Sequence, residues 1–226
     1  VGQIEKMGVN NVFVLSLRQD TSLSIVDVIN IQSVDGVEEV VPLVRGSATV
    51  TFGGQMATFQ VLGLDFSTLE DAFPGVGPLD GVIPSSPGLF SALIGYNIAY
   101  PPNSNSTDPL VRAGDSILVR VTMRSGRQIL ETYRYFTVSA VLSRYGISMG
   151  VTGPDGSVFV PTEVANFLFN KKGTYDGAIV IAADVSRAQE IADTIQQMLG
   201  GRFTAISPQQ IVETAQSILG QVQFFL

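Results

Sequence analysis

The chain of 226 residues contains neither cysteine nor histidine. Without cysteine there is no disulfide framework, and no redox compartment can be read from thiol usage. Without histidine the commonest general base and metal ligand is missing. A Ser-His-Asp triad, a Cys-His dyad and an ordinary zinc site are therefore excluded within the chain. Charge is scarce as well: 15% of residues are charged, against about a quarter in an average soluble protein. The chain is apolar, 45% hydrophobic with a mean hydropathy of +0.31, yet no run approaches the ~18 consecutive apolar residues of a membrane span. The thirteen Lys and Arg are scattered against twenty Asp and Glu, and Lys171-Lys172 is the only basic pair, so no nucleic-acid partner is expected. Residues 1–10 show no basic segment followed by an apolar core, so no signal peptide is expected there.

What the chain does contain is punctuated α and β signal. Residues 177–183 (GAIVIAA) form a short apolar run rich in β-branched residues, the pattern of a buried strand. Asp184 or Ser186 can then cap a helix, and Ser186 with Gln189 fits a capping box. After them Ala188, Ile191, Ala192, Ile195, Met198 and Leu199 recur at helical spacing. Gly200-Gly201 stops that helix, and 202–206 returns as a strand. Ser207-Pro208 with Gln210 reads as the start of another helix. That helix has no stop signal before Phe224-Phe225-Leu226 and is expected to continue beyond this segment. The opening repeats the order. Residues 1–7 read as the tail of a helix and 11–17 as a strand. Ser24 and Asp27 cap a helix over 25–33 with Ile25, Val28 and Ile29 inward, and Asp35-Gly36 turns the chain into a strand over 37–44.

These two strand–helix–strand halves are read as one split βαβ unit of ferredoxin-like type. Between them lie β-signals: strands over 48–52 and 56–62 around Gly53-Gly54, then 116–123, 128–142 and 157–161. A helical turn is expected over 89–94 and a short helix over 163–169. The expected fold is α+β. A porter-like subdomain is built from residues 1–75 and 171–226, with an inserted β-rich subdomain over 76–170.

No residue set qualifies as a catalytic, cofactor or metal site, and no enzyme activity is expected. Asp65, Glu70 and Asp71 lie close in sequence but read as exposed loop and helix-end acids. The glycine-rich segment 146–156 lacks the Lys and Ser/Thr of a phosphate-binding loop. Tyr145, Ile147, Met149 and Val151 read as a partner-contact loop, with an edge strand in the core as the alternative for the alternating Ile147, Met149 and Val151. Asn105-Ser106-Thr107 is a sequon, which makes Asn105 a possible glycosylation position.

Several stretches, taken in order, carry a family likeness. They are Ile4-Glu5-Lys6-Met7-Gly8 with Asn11-Val12; Asp27, Ile31-Gln32 and Gly36-Val37 followed by Val41-Pro42; and Val61-Leu62-Gly63-Leu64-Asp65. The series continues with Ala113-Gly114-Asp115 and Ile117, then 136–142 (FTVSAVL), Val158-Phe159-Val160-Pro161 and 221–226 (QVQFFL). This order resembles the extracytoplasmic core domain of the permeases grouped with the macrolide exporter MacB, the lipoprotein-releasing permeases and FtsX. The resemblance implies a domain on the outer side of the cell membrane, held by helices flanking Val1 and Leu226. It implies a cognate ABC ATPase on another chain or segment, a permease dimer, and transmission of motion from ATP hydrolysis to substrate export or partner control. A free secreted binding or adaptor module is the alternative, since fold does not decide function.

Overall fold

The computed structural model describes residues 10–16, 18, 21–104, 107–125, 128–146 and 153–210. In chain order the elements are β1 (Asn11–Ser16), α1 (Ile25–Gln32), β2 (Val37–Phe52), β3 (Gln55–Gly63), α2 (Leu69–Ala72), β4 (Pro78–Gly81), β5 (Ser91–Ile94) and α3 (Tyr96–Ala99). They continue with β6 (Ser116–Ser125), β7 (Gln128–Leu142), β8 (Ser157–Val160), α4 (Thr162–Leu168), β9 (Gly177–Ala182), α5 (Ala188–Leu199) and β10 (Phe203–Ile206). The fold is α+β. It divides into two compact units, one of Val1–Pro42 with Tyr175–Leu226 and one of Leu43–Thr174. The helical readings over 1–7 and 211–226 lie outside the described residues, as does Asn105.

In the first unit the strands of the two chain ends interleave. β1 lies between β9 and β10 and is antiparallel to both, with Val12 opposite Val180 and Val14 opposite Ala205. The start of β2 follows beside β9. α5 seals the sheet because Ala188, Ile191, Ala192, Ile195 and Leu199 fall on one face and pack with Val12, Val14, Ala178 and Val180. Ser24 caps α1 as expected, its hydroxyl accepting from the Asp27 N–H at 3.2 Å while the Asp27 carboxylate accepts from the Ser24 N–H at 2.8 Å. The face of α1 differs from expectation. Val28 and Ile31 are buried, whereas Ile25 and Ile29 are more than half exposed. α1 is apolar on nearly every side, so its sequence leaves open which stripe meets the sheet.

The second unit is mostly sheet. β2 and β3 form a hairpin, β3 runs parallel to β8, β5 joins β8 to β7, and β6 pairs with both β2 and β7. Residues 43–75 thus belong with the lobe that was expected to begin at 76, because the hairpin they form is paired to β6 and β8. The two strands expected over 37–44 and 48–52 are one. Gly46 lets it continue past Phe169, whose ring occupies the space a Cβ at 46 would need. The helical turn expected over 89–94 is instead β5, since Leu93 and Ile94 find partners on both sides, in β7 and β8. A short apolar run is ambiguous by periodicity, and the pairing decided it.

Candidate interaction surface

The loop proposed from sequence begins at Tyr145, and here the structure corrects the sequence reading. Tyr145 is buried, with its ring edge-on to Phe73 at 6.0 Å, and Phe73 is in turn edge-on to Phe159. It is a core residue and not a contact residue. Ile147, Met149 and Val151 lie outside the described residues. The base of the loop is well defined. Asp155 is also buried, and its carboxylate accepts from the Tyr145 N–H at 2.7 Å and the Gly146 N–H at 2.8 Å. One buried side chain therefore holds the strand end beside the turn at 154–156, on the far side of the loop.

Burial first, and the charge of Asp155 second, push the Tyr145 hydroxyl up from 10.0 to about 12. The folded protein then holds this proton more tightly than the unfolded chain. The stabilisation is complete below pH 10.0 and is lost as pH rises through about 12. Tyr145→Phe is expected to make stability fall less steeply with pH in that window. Unfolding free energies of both proteins, measured across it, check this; parallel curves would contradict it.

Asp65, Glu70 and Asp71 are all exposed. Asp65 caps the turn that follows it, accepting from the Ser67 N–H at 2.9 Å. Among the described residues no group of three or more His, Cys, Asp or Glu could hold a metal ion.

The most distinctive surface was not singled out from sequence. It lies between the β6–β7 hairpin and the end of α4, where Met123, Leu130, Thr132, Asn166, Phe167 and Lys172 line a groove of about 500 Å³. In the hairpin register Met123 faces Leu130, and Arg124 faces Ile129 on the opposite face. Leu130, Ile129, Tyr133, Tyr135 and Phe167 are all exposed. Arg134 reaches across with its guanidinium 4.7 Å from the Phe167 ring centre and 5.4 Å from that of Phe90. The groove's other wall is a tight turn in which Asn170 and Lys172 take positive φ of 51° and 53°. It is held by the Gly173 N–H donating to Asn166 Oδ1 at 3.2 Å, and by Thr174 Oγ1 donating to the Lys171 carbonyl at 2.7 Å. The available sequence signal was weak: adjacent Ile129 and Leu130 break the inward–outward alternation that a strand with one covered face should keep.

Residues 1–198 match the family described as the MacB-like periplasmic core domain. The chain belongs to this family. The fold agrees: the periplasmic region of MacB from Actinobacillus actinomycetemcomitans superposes with a TM-score of 0.63 at 12% identity, covering 96% of this chain and 97% of that one. The extracellular domain of the noncanonic ABC-type transporter YknZ from Gram-positive bacteria gives 0.57 at 16% identity, over 87% and 100%. No curated protein matches the chain in sequence. As a MacB-like core domain the chain is an extracytoplasmic domain of the ABC-permease type, and no enzyme family is indicated. Among the described residues no helix is long and apolar enough to cross a membrane.

Proposed function

We propose that this MacB-like domain carries no catalysis of its own and transmits motion, driven by ATP hydrolysis in the cytoplasm, to substrate export or partner control outside the membrane. The reading joins the family match over residues 1–198 to the interleaving of the first unit. Because β1 sits between β9 and β10, a displacement entering from either end of the chain acts on one sheet. In the full protein the flanking helices before Val1 and after Leu226 would supply that displacement. A cognate ATPase would drive it, and two permeases would work as a dimer. The porter-like subdomain of both chain ends would carry the movement and the β-rich lobe would present contacts, with Ile147, Met149 and Val151 among the candidate contact residues.

Two glycines inserted after Thr214 test the mechanical part. Each lowers the helix preference of that segment by about 1 kcal/mol. Transport or partner activation by the full permease is expected to fall relative to its ATPase rate. Equal coupling in parent and variant would show that motion does not pass this way.

A further inference from the structure

We propose that the groove between the β6–β7 hairpin and the end of α4 docks an acidic amphipathic segment of a partner protein. Three observations combine. The apolar walls, Met123, Leu130 and Phe167, come from two separate elements, and Phe167 and Leu130 are left 57% and 47% exposed. An apolar surface of this kind, rimmed by polar groups, marks a contact site.

The charge around it is one-sided. Arg134 stands on the groove face of the hairpin and Lys172 on the opposite wall, whereas Arg120 and Arg124 lie on the hairpin's other face. Among the described residues neither Arg134 nor Lys172 has an ion-pair partner. Glu131 is the single carboxylate lining the groove. The second unit as a whole holds nine basic and nine acidic residues, so the two cations Arg134 and Lys172 against the one carboxylate Glu131 are a local excess. Arg134 is also held in place, stacked between Phe90 and Phe167, so its guanidinium is pre-organised for a carboxylate.

The third observation is shape. The groove is open to solvent on one side, whereas a small-molecule site encloses most of its ligand. An open trough with apolar walls and cations on both ridges fits a polypeptide segment that places Leu or Phe inward and Asp or Glu outward.

The probe is a fluorescent synthetic peptide of roughly three helical turns built from Leu, Phe and Glu at amphipathic spacing, with a twin in which every Glu is Lys. The intact chain is expected to bind the acidic peptide and not its twin, with affinity falling as salt rises. Phe167→Ser and Lys172→Glu change exposed side chains, and each is expected to weaken binding about tenfold or more, with the thermal midpoint unchanged. Equal binding of the twin, no binding of the acidic peptide, or undiminished binding by both variants would overturn the proposal. So would phosphatidylglycerol vesicles that bind through Phe167 and Lys172 and are not displaced by the peptide, since the groove would then be a lipid contact.

Discussion

Gly177→Val is expected to destabilise the protein by about 4 kcal/mol or more, the range reserved for a named steric or packing failure. Gly177 sits in β9 opposite Leu15 of β1. A Cβ at this position would clash with the main-chain oxygen of Val14, with the Leu15 Cα 3.6 Å away. A flexible side chain could swing aside, but a paired strand backbone cannot without losing its register. Intrinsic preference points the other way, since valine favours strands and glycine weakens them; a stabilised variant would therefore refute the packing argument outright. For a chain of this size each kcal/mol lowers the thermal midpoint by roughly 2–4 °C, so the drop should exceed about 8 °C. Gly201→Ala serves as control, because a Cβ there has no neighbour within 4 Å. Its midpoint should stay within a degree or two of the parent, at about 0.5 kcal/mol.

Asp155→Ala is expected to cost about 3 kcal/mol or more, through a different mechanism. Its carboxylate is the acceptor for the N–H groups of Tyr145 and Gly146. Hydrogen bonds to a charged group contribute about 1.5–3 kcal/mol each, and a buried donor left without its acceptor loses its solvation too. Asp155→Asn keeps one carbonyl oxygen and should fall between the parent and the alanine variant. The asparagine variant has a second readout. The negative charge of Asp155 is one of the two causes that raise the Tyr145 hydroxyl to about 12, so removing it should lower the midpoint of that ionisation in an ultraviolet titration. Thermal unfolding that places Asp155→Ala within about 0.5 kcal/mol of the parent would show that water or a rearranged backbone replaces the clamp.

Much of the first unit was legible from residues alone because its signals are local and agree with one another. Ser24 with Asp27 gave the α1 cap, and 177–183 gave β9 almost to the residue; the stripe from Ala188 to Leu199 gave the buried face of α5 except Met198, which is exposed. The failures share a cause. α1 is apolar on several faces, so spacing could not say that Ile31 is buried and Ile25 is not. Ser91–Ile94 is a strand only because β7 and β8 flank it. Tyr145 opens a glycine-rich stretch, yet it is buried against Phe73, distant in sequence, and tied to Asp155 across the loop.

By itself the sequence determined the α+β class, the two strand–helix–strand ends, the absence of histidine and cysteine chemistry, and the ordered series of short motifs that belongs to MacB-like core domains. These are properties of composition and of neighbours a few residues apart, where periodicity and capping act. Only the tertiary structure decided that β1 lies between β9 and β10, that residues 43–75 pair with β6 and β8, and that Leu130 meets Phe167 across a groove. Each of those depends on contacts between segments dozens to nearly two hundred residues apart. No local preference encodes such contacts; they form because burying one element's apolar face requires a particular other element to cover it.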